Sequence, residues 1–138
     1  MILKVVMARK VYEALENIRK DIGGYERCGL LFGELHGNEI IIAEIVEIEN
    51  VRKSSSEFEL DSLQTLKAFE KAEKEGMEVV GVWHTHPLWI PYPSKKDREG
   101  MRVYPGVWVI ISGSGIKAYF GNEKGFLEAS IEVMESPQ

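Results

Sequence analysis

An apolar run that ends in two histidines limits how this chain can fold. Residues 77–86 are rich in valine and predict a β-strand, with His84 and His86 at its C-terminal end. Because side chains two residues apart on a strand point to the same side, the two imidazoles should aim together, whereas Trp83 and Thr85 should aim the other way. The strand is therefore expected to present a pair of imidazoles at one end of a sheet.

Proline stiffens the turn that follows the histidines. Pro87, Pro91 and Pro93 restrict the backbone, so Asp97 can return to the histidine pair at a fixed distance. Two histidines and one carboxylate leave the fourth tetrahedral position open, which is typical of catalytic rather than structural zinc sites. Zinc in such a site lowers the pKa of a bound water to about 7 and so supplies a nucleophile at neutral pH.

Each of these residues also has a purely structural interpretation. His84 and His86 could be half-buried histidines whose nitrogens are satisfied by backbone groups. Ser94 and Asp97 have the spacing of a capping box, in which both side chains start a helix. The residues alone leave both interpretations open, and the two are compatible, because a helix N-terminus is also a rigid platform for a carboxylate.

The remaining pattern predicts an α/β fold. Helical spacing predicts helices over residues 8–22 and 61–75, the second capped by Asp61 or Ser62, with Leu63, Leu66 and Phe69 set against lysine-rich outer positions. Apolar or alternating runs predict six further strands, at residues 3–7, 28–35, 39–48, 107–112, 116–120 and 126–133. We expect one domain over residues 1–138, with a central mixed β-sheet flanked by two main helices and a short third helix after the proline turn.

Charge and composition exclude several classes of protein. The net charge of −5 argues against non-specific nucleic-acid binding, which depends on dense positive charge. The apolar runs are too short for a signal peptide or a membrane span. The single cysteine, Cys28, excludes an intramolecular disulfide, so we expect a cytoplasmic protein with no nucleic-acid or membrane partner. Cys28 itself should be a small buried strand residue, and His36 should be exposed in a turn.

Two separate segments resemble the signature of the JAMM (MPN+) metalloproteases. The stretch His84-Thr85-His86-Pro87, followed by Pro93-Ser94-Lys95-Lys96-Asp97, matches His-x-His-Pro, a spacer and Pro-Ser-x-x-Asp, with 11 positions from the second histidine to the aspartate. Upstream, Glu26-Arg27-Cys28-Gly29-Leu30-Leu31-Phe32-Gly33 fits the family's glutamate before a Cys-Gly-Leu-Leu-x-Gly strand. Two motifs in the right order are much more specific than either one alone.

The resemblance implies a role for each matched residue. His84, His86 and Asp97 would bind one catalytic zinc ion. Glu26 would accept the proton of the attacking water and pass it to the leaving amine, and Ser94 would donate a hydrogen bond to the developing oxyanion. The fold implied is the MPN domain, which is similar to that of the cytidine deaminases. Without this context Glu26 is one acidic residue among many, since its distance from the histidines is not visible in the sequence.

The resemblance also implies a class of substrate. Members of the family cleave isopeptide or peptide bonds after the Gly-Gly tail of ubiquitin or a ubiquitin-like modifier. With its compact length and its excess of glutamate and lysine, this chain most resembles the archaeal desampylase-type proteases, which deconjugate such modifiers and process their precursors. An extended glycine tail suits strand addition at a sheet edge. Trp89, Ile90 and Tyr92 could line its approach or pack on the adjacent loop.

Two other functions stay open at this point. Some prokaryotic relatives are hydrolases that release cysteine or sulfur from the tail of a sulfur-carrier protein. Some MPN domains are inactive scaffolds, although those usually lack the ligand residues that this chain has. The apolar helix faces are also compatible with a homodimer.

Overall fold

Seven strands and three helices form the part of the chain that the computed structural model describes, residue 2 and residues 4–135. In chain order they are β1 (Lys4–Ala8), α1 (Arg9–Lys20), β2 (Cys28–His36), β3 (Glu39–Ile48), α2 (Ser62–Lys74), β4 (Glu78–His86), α3 (Lys95–Val103), β5 (Gly106–Ser112), β6 (Gly115–Asn122) and β7 (Gly125–Met134). Every predicted helix and strand is present, with ends within about two residues of those predicted. Leu3, the predicted start of the first strand, lies outside the described residues. None of the described helices has the length and apolar character needed to cross a membrane.

The short strand β1 closes the sheet into a barrel. It pairs in parallel with β3 on one side and with β7 on the other, which gives the order β1-β3-β2-β4-β5-β6-β7. β4 and β5 are also parallel, and the remaining neighbours are antiparallel. The prediction of a mixed sheet is confirmed, because parallel and antiparallel pairs both occur. The prediction of a central layer flanked by helices has to be corrected, because the sheet is closed. Closure depends on β1 having two partners, and the residue pattern of one strand does not show how many partners it has.

Helix α1 supplies one side of the main core. Val11, Leu15 and Ile18 are buried, and the helix packs against β1, β3, β5, β6 and β7. The same cluster contains Trp83 from β4 and Val109 from β5. Because burial of each large apolar side chain contributes about 1.5–3 kcal/mol, this helix stabilises most of the barrel at once.

Helix α2 packs on the sheet through small residues. Ala68 and Ala72 are buried, and the helix contacts β3 and β4. Leu63, Leu66 and Phe69, the apolar positions of the predicted helix, are each exposed by about half. The sequence pattern therefore identified the helix but not the side that it buries. Alanine allows a close approach to the sheet, and this leaves the larger apolar residues on the flank that faces solvent.

The backbones of β2 and its neighbours approach closely at Gly29. A Cβ atom at this position would lie 1.9 Å from the carbonyl oxygen of Val46 and 2.5 Å from Nε1 of Trp83. The indole of Trp83 uses this space to donate a hydrogen bond to the Val46 carbonyl at 3.1 Å. Since Gly29 pairs with Trp83 next to the pair of Cys28 and His84, the contact holds the strand that carries the histidines.

We predict that Gly29→Ala lowers the free energy of unfolding by about 2 kcal/mol or more, because the added methyl group has to displace backbone. Gly24→Ala is the matched control, since a Cβ there has no neighbour within 4 Å. Chemical denaturation of both variants measures the difference. Equal stability of the two variants would contradict the close approach.

Candidate metal centre and active site

Three buried side chains converge at the C-terminal end of β4. His84, His86 and Asp97 are each at least nine-tenths buried. The Nε2 atoms of His84 and His86 lie 3.1 Å apart. Asp97 places Oδ1 3.0 Å from Nε2 of His84 and Oδ2 3.0 Å from Nε2 of His86. The two imidazoles therefore aim together, as the strand alternation predicts, and the proline turn returns Asp97 to them.

The spacing of these donor atoms fits one metal ion. Ligand atoms about 2.0–2.1 Å from a tetrahedral ion lie about 3.3 Å from one another, close to the observed separations of 3.0 and 3.1 Å. Buried lone pairs that point into one small volume are costly unless a positive charge lies between them. The donor set therefore fits a metal ion better than a pair of histidines satisfied by backbone groups.

The carbonyl of Ile90 orients His86. Its oxygen lies 2.8 Å from Nδ1 of His86. A carbonyl oxygen can only accept, so Nδ1 donates, and the neutral ring keeps the lone pair of Nε2 directed at the cluster. Nδ1 of His84, in contrast, is buried and has no hydrogen-bond partner among the described residues. Burial lowers the pKa of His84, which favours the neutral imidazole that binds metals.

Ser94 and Asp97 start helix α3 with the capping box that their spacing suggests. The backbone N–H of Asp97 donates to Oγ of Ser94 at 3.1 Å, and the backbone N–H of Ser94 donates to Oδ2 of Asp97 at 2.9 Å. Burial by itself raises the pKa of Asp97, but the two histidines and the Ser94 N–H outweigh it and hold that pKa well below its ordinary value. The hydroxyl oxygen of Ser94 is an acceptor in this cap, so its hydrogen stays available for donation.

Glu26 lies beside His86 because β2 pairs with β4. The antiparallel register places Cys28 opposite His84. The pairing continues one residue further, since the N–H of Thr85 donates to the Arg27 carbonyl at 2.9 Å and the N–H of Arg27 donates to Oγ1 of Thr85 at 2.7 Å. The next position in this register sets Glu26 against His86. The two sequence motifs therefore meet in space, which the sequence alone could not establish.

The carboxyl group of Glu26 is buried and lacks a partner. Only 5% of the residue is exposed, and Oε1 has no hydrogen-bond partner among the described residues. Burial raises the pKa of Glu26 to about 8; the charge of His86 opposes this shift and that of Asp97 adds to it. A buried carboxyl group with a raised pKa and a free oxygen is typical of a functional rather than a structural residue.

One residue that contacts the cluster was not singled out from the sequence. Phe58 stacks on the imidazole of His84 with a distance of 4.6 Å between ring centroids and an interplanar angle of 28°. It belongs to a short extended segment between β3 and α2, where Phe58 and Leu60 alternate with acidic residues. That alternation is the only signal in the sequence, and it does not indicate which side chain the ring will meet.

A cleft of about 890 Å³ leads to the cluster from the side of α2 and α3. Its walls include Phe58, Phe69, Trp108 and Asp97, with residues of β4 at its base. Of the exposed apolar residues of α2, Phe69 lines this cleft, which thus runs from an apolar side chain to Asp97. An extended apolar or glycine-rich chain could occupy such a channel.

On the other side of the cluster, the loop between Pro87 and Pro93 carries exposed apolar residues. Leu88 is 82% exposed, and Trp89, Ile90 and Tyr92 are each exposed by about half. The ring of Trp89 lies 5.6 Å from that of His86 and 6.3 Å from that of Tyr92. Trp89 and Tyr92 thus contact one another and also face solvent beside the cluster, and that these residues line the approach of a glycine tail stays a prediction.

The two remaining predicted residues lie where the sequence indicates. Cys28 is fully buried, its Sγ donates to the Ile48 carbonyl at 3.4 Å, and burial raises the pKa of its thiol to about 12. His36 is exposed and pairs with Glu34, although it ends β2 and the turn begins at the next residue. Neither residue takes part in the cluster.

Comparison with known proteins identifies one family. The model of the prokaryotic homologs of the JAB domain matches residues 8–122. The desampylase of Pyrococcus furiosus is 43% identical over 111 residues, which cover 80% of this chain and 76% of that protein. The desampylase of Haloferax volcanii is 33% identical over 111 residues, which cover 78% of each protein.

The solution structure of a protein from Desulfitobacterium hafniense has the same fold. The two chains superpose with a TM-score of 0.83 over 97% of this chain and 95% of the other, at 24% sequence identity. The family match includes Glu26, His84, His86 and Asp97. The chain therefore belongs to the prokaryotic homologs of the JAB domain and is a JAMM-type metallo-isopeptidase.

Proposed function

We propose that this chain is a zinc-dependent isopeptidase that hydrolyses the bond after the C-terminal Gly-Gly of a ubiquitin-like modifier protein. Both conjugates and precursors of the modifier would be substrates. The observation that carries the proposal is the buried, unpartnered carboxyl group of Glu26 beside the cluster of His84, His86 and Asp97. The similarity to two archaeal desampylases supports the choice of a small modifier protein as substrate.

His84, His86 and Asp97 are the ligands of the zinc ion in this proposal. When bound, zinc supplies a Lewis acid that activates a water molecule at neutral pH. The chain orients two of the ligands itself, because Ile90 holds the ring of His86 and the N–H of Ser94 holds the carboxylate of Asp97. Such supporting contacts preorganise the ligands before the ion arrives.

Glu26 accepts the proton of the attacking water and then passes it to the leaving amine. A group that does both needs a pKa near the working pH, and burial raises the pKa of Glu26 in that direction. A cation at the cluster would lower this pKa again and so favour the carboxylate that accepts the proton. The free Oε1 atom leaves Glu26 without a competing partner for this proton.

Ser94 stabilises the negative charge that develops on the scissile carbonyl oxygen. Its hydroxyl oxygen accepts the N–H of Asp97, which fixes the position of Oγ next to a ligand. The hydroxyl hydrogen can then donate to the oxyanion without breaking the cap. A donor fixed in this way needs little reorganisation when the charge forms, and one donor of this kind is worth about 10²–10³ in rate.

The modifier reaches the site through the cleft between α2 and α3. Exposed Leu63, Leu66 and Phe69 offer an apolar surface to the folded part of the modifier. The cleft extends to Asp97, where glycine has no side chain to exclude. Substrate affinity would thus depend on the exposed face of α2, and cleavage on the residues at the cluster.

Each strand of the barrel has a neighbour on both sides, so the sheet has no wholly open edge strand for the modifier tail. The extended segment at residues 57–60 is a better partner. The backbone groups of Glu57 and Glu59 are directed at Asn50 and Val51. By the alternation of an extended chain, the backbone of Phe58 is directed the other way, towards the incoming tail.

We predict that the purified protein binds about one zinc ion per chain, and that His86→Ala and Asp97→Asn each abolish stoichiometric binding. Each substitution alters one of the three side chains whose donor atoms converge among the described residues. Metal analysis by mass spectrometry after gentle purification measures the content. Full zinc content in both variants would rule out this site.

We predict that Glu26→Gln keeps the zinc content but lowers kcat by at least about 100-fold, because the amide cannot accept the proton. Glu34→Gln is the matched control, since Glu34 is an exposed carboxylate on β2, the strand that Glu26 precedes. Single-turnover cleavage of a modifier fusion gives the rate of both variants. Wild-type activity in the Glu26 variant would show that Glu26 is a buried structural residue and not the group that accepts the proton.

For the substrate, we predict chelator-sensitive cleavage after Gly-Gly in a panel of modifier conjugates and linear fusions. Leu66→Asp should raise KM about 10-fold, with kcat and zinc content unchanged, because a charge on α2 weakens docking but not chemistry.

The matched control for docking is Leu35→Asp, since Leu35 and Leu66 are equally exposed, at 56%. Equal KM values for the two variants would remove α2 as the docking surface. Release of cysteine from a cysteinyl carrier protein, with the Gly-Gly conjugates left intact, would assign the enzyme to sulfur-carrier metabolism instead.

A further inference from the structure

We propose that Phe58 is a positioning residue that orients the ligand His84, and that Asn50 holds Phe58 in place. The inference rests on the proposed metal function of His84, His86 and Asp97. It assigns a task to two residues that belong to neither sequence motif.

The ring of His84 lacks the anchor that His86 has. Nδ1 of His86 donates to the Ile90 carbonyl at 2.8 Å, whereas Nδ1 of His84 has no hydrogen-bond partner among the described residues. The torsion that rotates an imidazole about its bond to Cβ is intrinsically broad, so it does not fix the ring by itself. Packing must therefore direct Nε2 of His84 at the cluster.

Two aromatic rings provide that packing. Phe58 lies nearly parallel to the imidazole of His84, at 4.6 Å and 28°. Trp108 meets the same imidazole edge-on, at 5.9 Å and 87°. Phe58 packs on the face of the imidazole, and Trp108 meets it edge-on from another side. Together these contacts restrict rotation of the imidazole about both axes. Phe58 supplies the flat face, and it packs in turn against the cluster that contains Trp108, with 6.0 Å between the two ring centroids.

Asn50 fixes the segment that carries Phe58. Its Nδ2 group donates to the Glu57 carbonyl at 3.1 Å, and its Oδ1 accepts the N–H of Glu59 at 3.0 Å. The residues before and after Phe58 are thus bound to one side chain. Asn50 is only 9% exposed, so these bonds replace those that it would otherwise make with water.

The same amide group also holds the backbone of the proposed base. Nδ2 of Asn50 donates to the Glu26 carbonyl at 2.9 Å. One side chain therefore sets the position of Glu26 and, through Phe58, the orientation of His84. Asn50 thus fixes the position of Glu26 relative to Phe58, although the two residues lie far apart in the chain.

The test is the zinc affinity of Phe58→Leu, measured by competition with a chromophoric chelator. We expect the dissociation constant to rise about 10-fold, because leucine has no flat face for the imidazole. Phe58→Tyr keeps the ring and should restore the wild-type affinity. Phe120→Leu is the control for lost packing, because Phe120 lies against the main core and not against a ligand. It should lose stability in thermal unfolding without losing zinc affinity.

Wild-type affinity in Phe58→Leu would overturn the positioning role while leaving the metal site intact. A wild-type protein that binds no zinc would overturn the proposed function itself, so the two failures are distinct. An affinity lost equally in the leucine and tyrosine variants would also overturn the role, since the ring would not be what matters.

Asn50→Asp provides a second variant that keeps the shape of the side chain. The new carboxylate oxygen faces the Glu26 and Glu57 carbonyls instead of donating to them, so the segment should shift and zinc affinity should fall. Asn122→Asp is its matched control, because Asn122 accepts only the N–H of Lys124 in the turn after β6. Unchanged zinc affinity in Asn50→Asp would contradict the part assigned to Asn50.

Discussion

The antiparallel pairing of β2 with β4 is the constraint on which the whole active site depends. It aligns Cys28 with His84. Two further hydrogen bonds between Arg27 and Thr85 extend the same pairing to the position of Glu26. A slip of one residue would turn each side chain to the opposite face and separate the carboxyl group of Glu26 from the histidines. The close contact of Gly29 with Val46 and Trp83 excludes larger residues and so helps to lock this register.

Asp97 joins the metal centre to the start of a helix. Its carboxylate accepts the N–H of Ser94 and also faces both histidines. A negative charge in the first turn of α3 is favourable towards the helix dipole even before a cation is present. Helix and metal site therefore support each other, and whatever strengthens one should strengthen the other.

The sequence predicts those features that arise from local patterns. β3 is predicted because residues 39–48 are rich in isoleucine and valine after a turn, and α3 because Ser94 and Asp97 form a capping box. The sequence also predicts the cluster of His84, His86 and Asp97, because one strand and one turn bring the three residues together. Glu26 could be chosen only through the family motif, because its approach to His86 depends on pairing between segments 58 residues apart.

Features that arise from tertiary packing could not be predicted in this way. The buried side of α2 is set by the distance to the sheet, which selects Ala68 and Ala72 over the larger apolar residues. The stacking of Phe58 on His84 depends on a segment with little regular structure of its own. Closure of the barrel depends on β1 bonding to two distant strands at once.

Closure of the sheet also affects which backbone groups can pair with other chains. Under the proposed function the substrate carries an extended glycine tail, and such a chain pairs readily with an open strand. An exposed edge would capture those tails, or the edge of a second molecule, and begin aggregation. β1 pairs with residues 39–42 of β3 and 130–134 of β7, so it covers part of each edge that these strands would otherwise leave open. β1 thus reduces the strand edge with which such a tail could pair, and the segment at residues 57–60 is the proposed partner instead.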